Sequence, residues 1–234
     1  MEYQYGNDKN YEDFASGRVL HNYKGITNFP ARLAQEIFGR CLKYSHKKSD
    51  ICLYDCCCGG GYMLTVLGFM NVQIISEIIG SDINPDAVYK AQNNLELLHT
   101  DGLNKRMEQI RELSREYGKE SHEEALQSAI KLHKKLEGSN IITRVFTANV
   151  FENLILNKTP DIIITDVPYG EIVTWEGADN GNIDLLLDSL YSICNNETVI
   201  GICMDKSQKN TNDKFQRLEK QQIGKRRFEI LKRR

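Results

Sequence analysis

A five-residue apolar run, Ile51-Cys52-Leu53-Tyr54-Asp55, stops at Cys56-Cys57-Cys58 and then at Gly59-Gly60-Gly61. Apolar residues resume at Met63, Leu64, Val66 and Leu67 with helical spacing. A buried strand that turns through glycines into a helix opens an α/β unit, in which ligands gather at the carboxyl ends of the strands.

The alternation continues along the chain. Residues 76–82 and 143–151 read as strands, as do 160–167, a fully apolar run ending beside Asp166, and 197–204. Residues 226–233 alternate like a strand near a sheet edge. Helices are expected from Pro30, from Asn84-Pro85 and over 182–194. A charged helical insertion covers 101–137 between strands two and three, with Gly118 as its break. Residues 1–28 read as an arm or lid. Runs apolar on both faces fit a mostly parallel sheet covered by helices on both sides. We expect one domain over 1–234 with a Rossmann-like fold.

The three cysteines allow two readings. Zinc sites show spaced pairs such as Cys-x-x-Cys, and three adjacent side chains cannot converge on one ion without severe distortion. No metal is expected. The alternative is a wall of small residues around Asp55-x-x-x-Gly59-x-Gly61, where a ligand lies against bare backbone. The spacing is not the dinucleotide fingerprint Gly-x-Gly-x-x-Gly. An acid before the glycines suits a cofactor with a cationic amino-acid end and no pyrophosphate, as in S-adenosylmethionine (SAM). Asp55, Cys57, Gly59 and Gly61 are the candidate contacts. Asp82 closes the second strand, either to accept from ribose hydroxyls or to cap the following helix. Asn149 follows the third strand, as an adenine contact or as a turn residue.

Asp166-Val167-Pro168-Tyr169 resembles the (Asn/Asp/Ser)-Pro-Pro-(Tyr/Phe) signature of SAM-dependent methyltransferases acting on base nitrogens. Asp166 and the Val167 carbonyl can accept N–H groups while a lone pair faces the methyl, and Tyr169 offers a stacking face. Positioning of this kind supplies much of the barrier reduction, and a base edge must be unpaired or flipped out to be reached. Asp166, Pro168 and Tyr169 are the candidate catalytic residues. This chain has Val167 where the signature has its first proline.

More narrowly, residues 56–68, 165–177, Gly17-Arg18-Val19-Leu20 and 203–209 resemble the AviRa family of ribosomal RNA methyltransferases that confer avilamycin resistance. The resemblance runs over nearly the whole chain and implies a class I SAM-dependent methyltransferase fold. It also implies methylation of a guanine in 23S ribosomal RNA, free or in the large subunit, and a role in resistance to an orthosomycin-type antibiotic. Val167, Gly170, Glu171, Trp175 and Glu176 then fall in the base-binding region. The two glutamates suit guanine's N1–H and N2–H donors. Trp175 reads either as a stacking surface or as a plug that anchors its loop. Two other readings stay open: an adenine-N6 methyltransferase on DNA or RNA, and a SAM-binding assembly factor without turnover.

Charge is distributed unevenly. From Asp205 to Arg234 there are eleven Lys/Arg against four Asp/Glu, a balance of +7, while the preceding residues balance to −9. A basic end on an acidic body suits contact with phosphates, or else a strand edge protected by charge. Lys225, Arg226 and Arg227 are the candidate RNA contacts. The insertion, with Lys105, Arg106, Arg111, Arg115 and Lys119, either adds to that grip or is a solvated cover. Seven cysteines without an export signal and no membrane-length apolar run suggest a cytoplasmic protein, expected to be monomeric.

Overall fold

The computed structural model describes residues 1–7, 10–23, 28–152, 154–168, 175–177 and 181–234. Seven strands form one sheet in the order β3-β2-β1-β4-β5-β7-β6. The five strands β1 (Ile51–Asp55), β2 (Ile75–Asp82), β3 (Ile142–Thr147), β4 (Ile162–Asp166) and β5 (Val199–Asp205) run parallel. A closing hairpin of β6 (Phe215–Ile223) and β7 (Arg226–Arg233) adds antiparallel to β5. The result is a mostly parallel sheet with helices on both faces. Strand order reverses between β1 and β4, and such a switch point opens a crevice at the strand carboxyl ends.

Side chains alternate between two cores, as strand geometry requires. Leu53, Ile162 and Ile164 join a core beneath α1 (Ala31–Tyr44), α2 (Tyr62–Met70) and α3 (Pro85–Glu96). Tyr54, Ile163 and Ile200 face the opposite way, against α6 (Ile183–Tyr191). The insertion is a helical pair, α4 (Thr100–Tyr117) and α5 (Glu120–Lys135), with Gly118 between them at φ +59°. Leu103, Ile110, Ala129 and Leu132 extend the first core, with α4 packed on α3 and α5 on the short helical turn Glu12–Phe14.

The sequence reading differs from this fold in two places. β3 ends at Thr147, four residues short of the expected strand, because its chain turns at Asn149. β6 has no apolar run to announce it: only Phe215 of its nine residues is buried, and its ladder to β7 holds it at the sheet edge. β7 therefore lies one strand inside the edge, with Arg227 to Leu231 buried.

Two polar hubs tie the arm and terminus down. The Glu36 carboxylate, completely buried, accepts from the backbone N–H groups of Gln4, Tyr5 and Gly6 at 2.7–3.1 Å and from Arg40 Nε at 2.7 Å. Asn94 on α3 joins the arm to the glycine turn, its amide donating to the Gly60 carbonyl (2.8 Å) and its oxygen accepting from His21 N–H (2.9 Å).

Candidate functional site

The glycine turn is shaped by two left-handed residues, Gly59 at φ +50° and Gly61 at φ +72°, conformations that other L-residues rarely adopt. Gly61 also lets α2 approach α3, since a Cβ there would lie 2.9 Å from Ala91 Cα. The turn is held from below and beside. Asp55 Oδ1 accepts from Cys57 N–H (3.0 Å), and Asp82 Oδ2 accepts from Gly59 N–H (2.8 Å). The other oxygen of Asp82 accepts from Asn84 N–H (3.0 Å), while Asn84 caps α3.

Asp55 is buried, and burial pushes its carboxyl up to about 7 despite hydrogen bonds from Cys57 N–H and the Thr165 hydroxyl; the nearby Asp82 and Asp166 carboxylates raise it further. A carboxylate so placed gains from any cation brought beside it. Two of the thiols are held protonated. Hydrogen bonding to Cys56 and burial raise Cys57 well above the ordinary thiol value, and burial does the same for Cys58. Cys56 and Cys57 Sγ lie 4.0 Å apart, and Cys56 turns away toward Thr165 Oγ1 (3.7 Å). Among the described residues no three His, Cys, Asp or Glu side chains gather as a metal cluster.

A cavity of about 480 Å³ lies over this turn. Its walls include Asp55, Cys57, Gly59, Asp82 and Asn149 together with Asp166, Val167, Pro168, Trp175, Glu176 and Arg226. The residues expected at the cofactor end and at the base end of the site thus face a common space. A pocket of this size with a few converging polar groups is the usual form of a small-molecule site.

The expected contacts differ in how they meet this cavity. Gly60 rather than Gly61 lines the cavity, because Gly61 is turned toward α3. Asn149 Oδ1 accepts from Phe151 N–H (3.1 Å), and its amide donates to the Gly177 carbonyl (2.9 Å), so it serves as a turn residue that pins the loop after Trp175. Trp175 packs on Phe151 with ring centroids 5.6 Å apart and is half-buried, an anchor that still presents a wall to the cavity. Arg227 is buried, with Nε 3.5 Å from Glu229, because consecutive strand residues face opposite sides and the cavity side belongs to Arg226. Arg226 lies over the Phe29 ring (5.7 Å) and Lys225 is exposed on the β6–β7 turn. Tyr169, Gly170 and Glu171 lie outside the described residues. Phe29, Val150, Phe151 and Ile83 complete the walls without having been singled out by any motif.

A family model described as rRNA methyltransferase AviRa matches residues 1–226. The chain belongs to the AviRa family. It is 39% identical over 222 residues to the 23S rRNA (guanine(2535)-N(1))-methyltransferase of Streptomyces viridochromogenes, covering 92% of this chain and 88% of that protein. Two solved structures of AviRa from that organism, at 2.4 Å and 1.5 Å, match with TM-scores of 0.89 and 0.90 at 36% identity, covering 99% of this chain and 96% of theirs. TrmN from Thermus thermophilus shares the fold alone, with a TM-score of 0.51 and 10% identity over 88% of this chain and 49% of its own. Relative to the broader base-methylating signature, the AviRa-type motif here keeps the acid and second proline as Asp166 and Pro168 and carries Val167 between them.

Proposed function

We propose that this chain is a SAM-dependent methyltransferase that modifies N1 of a guanine in 23S ribosomal RNA. The observation that carries this reading is the single cavity lined both by Asp55, Gly59 and Asp82 and by Asp166, Val167 and Pro168. The residues present suit SAM. Asp55 is a buried carboxylate with an elevated pKa, suited to a cationic amino group, and Gly59 and Gly60 offer bare backbone. Asp82 keeps lone pairs for ribose hydroxyls beyond the two backbone bonds it accepts. Val150, Phe151 and Ile83 supply an apolar surface for a base ring. When bound, SAM supplies an electrophilic methyl group on a sulfonium. Asp166 and the Val167 carbonyl would hold the base through its exocyclic N2–H groups, and the single N1 proton would pass to a carboxylate of the site, so that the in-plane lone pair it frees faces the methyl. Trp175 and Phe151 wall off the cavity from water. Glu176 stands at the rim, suited to the guanine N2–H donors.

RNA approaches over the rim made by Lys206, Lys209, Lys225 and Arg226. The backbone bond from Lys206 N–H to the Lys225 carbonyl (3.0 Å) brings two of these cations together at the carboxyl end of β5. The insertion is a cover on this reading, since Arg111 and Arg115 pair with Glu108 and Arg106 holds the Val19 carbonyl. No helix among the described residues is long and apolar enough to cross a membrane. Action as a monomer in the cytoplasm, and protection of the ribosome against an avilamycin-type antibiotic, follow as parts of the same reading. Incubation with labelled SAM and 23S RNA or large subunits, followed by nucleoside mass spectrometry, tests it. The expected product is 1-methylguanosine. N6-methyladenosine, or cofactor binding with no transfer to any ribosomal substrate, overturns the reading. Asp166→Ala is expected to retain RNA binding and lose transfer.

A further inference from the structure

We infer that Gln208 is a positioning residue for the target base, acting through the Asp166-Val167-Pro168 segment. The inference rests on the reading that this segment receives the base. In a parallel pair each residue donates to one neighbour and accepts from the residue two further on. Val167 N–H donates to the Cys203 carbonyl at 3.0 Å, so continued pairing would bring Asp205 N–H to the Val167 carbonyl. Asp205 N–H instead donates to Gln208 Oε1 at 2.9 Å. The same amide donates from Nε2 to the Pro168 carbonyl at 3.1 Å. Its orientation is fixed by chemistry, because one backbone partner can only donate and the other can only accept.

One side chain thus ends the β4–β5 ladder a step early. Among the described residues no backbone N–H donates to the Val167 carbonyl, which is left to face an incoming N–H, while Pro168 is held from behind. The substitution of valine for a proline gains meaning here. Proline at 167 would stiffen the turn but could not donate to Cys203; valine makes that bond, and Gln208 fixes the next peptide. Rigidity comes from two hydrogen bonds rather than from a ring.

Gln208→Glu keeps the acceptor for Asp205 N–H and loses the donor to Pro168 at neutral pH. Gln208→Leu loses both and frees Asp205 N–H to close onto the Val167 carbonyl. Gln208→Leu is expected to lower kcat on the order of 10²-fold and Gln208→Glu about 10-fold, since small misplacements in a site carry penalties of that size. Cofactor affinity is expected to stay within about twofold, and Tm within a few degrees, for a change at a half-buried loop residue outside the core. Lowering the pH should recover activity in Gln208→Glu relative to the parent, because a neutral carboxyl can donate again. A purely structural role would move Tm and cofactor affinity together and show no such pH recovery. Wild-type kcat in both variants overturns the inference while leaving the methyltransferase reading intact; a parent protein without any transfer sinks that reading instead. A crystal structure of Gln208→Leu decides the inference independently of activity. It should place Asp205 N about 2.9 Å from the Val167 carbonyl, and an unchanged strand end would overturn it.

Discussion

Glu36 and Asp55 are both carboxylates withdrawn from solvent, yet their acidities move in opposite directions. Burial pushes each upward. At Glu36 the N–H groups of Gly6, Tyr5 and Gln4 and the Arg40 guanidinium outweigh burial, and its pKa falls below the ordinary value. At Asp55 one backbone N–H and one hydroxyl do not outweigh burial, and neighbouring acids add to the rise. The first carboxylate is satisfied by the fold itself. The second is held in a cavity, short of a cation, where a ligand can supply one. Completed charges in this protein hold structure together, and incomplete ones face the site.

The largest effect should come from removing the completed charge. Glu36→Ala strands Arg40 and releases Gln4, Tyr5 and Gly6, and losing one partner of a buried pair costs about 3–5 kcal/mol. At this chain size that lowers Tm by roughly 10 °C. Cofactor affinity per folded molecule should change little. A Tm shift of only a degree or two in calorimetry would show that the terminus is not fastened by this hub.

Asp55→Asn should give the reverse signature. Removing a buried charge that the fold does not satisfy should leave Tm unchanged or slightly higher. Loss of the cofactor's cationic partner should weaken SAM binding about 10- to 100-fold, the equivalent of about 1.4–2.7 kcal/mol. Titration calorimetry on the folded variant reads both. Unaltered SAM affinity would mean that Asp55 shapes the turn and no more.

The two carboxylates also predict opposite pH behaviour. Between the ordinary aspartate value and about 7, folded Asp55 holds a proton that the unfolded chain has lost, so its contribution lowers stability as pH rises through that window. Glu36, with a depressed pKa, contributes stability that is present above the ordinary glutamate value and is lost as pH falls through its folded pKa. Because a cation selects the ionised form of Asp55, SAM affinity should climb from pH 6 to pH 8 and then level. Below pH 7 binding should release a proton, measurable in buffers of different ionisation heat. Asp55→Asn should flatten the profile, and a slope that survives the substitution belongs to another group.

The same contrast explains how far sequence could be read. The β1 turn, Asp55, Asp82 and Asp166 were legible because each is an acid or glycine at the end of an apolar strand, a position with few structural alternatives. Which glycine faces the ligand was not, since Gly59, Gly60 and Gly61 differ only in local φ and in what lies behind them. Arg226 and Arg227 are indistinguishable as letters, and only strand register sends one to the cavity and the other to Glu229. β6 stayed unread because an edge strand with one weakly apolar face has almost no periodic signal. Glu36 meets the Gly6 N–H, 30 residues away in chain order, and Gln208 joins its neighbour Asp205 to the Pro168 carbonyl, 40 residues away, partners that folding alone brings together.

Cations divide in the same way, with the smallest predicted effects. Arg111 and Arg115 are already paired with Glu108, whereas among the described residues no salt bridge engages Lys206, Lys209 or Lys225. Hydrogen bonds from the Ser207 hydroxyl and N–H hold the Asp205 carboxyl below its ordinary range, and the nearby Lys206 and Lys225 charges add to this without closing on it. A lysine that neutralises one phosphate releases about one counterion, so each Lys→Ala change at the rim should flatten the plot of log affinity against log salt by about 0.7–0.9. Affinity for a 23S RNA fragment at low salt should drop a few-fold per lysine, with kcat at saturating RNA preserved. Arg111→Ala and Arg115→Ala should leave the slope alone, because those guanidiniums must first give up Glu108 to meet a phosphate. If the insertion variants flatten the plot and the rim variants do not, the RNA path runs over α4 and α5 instead.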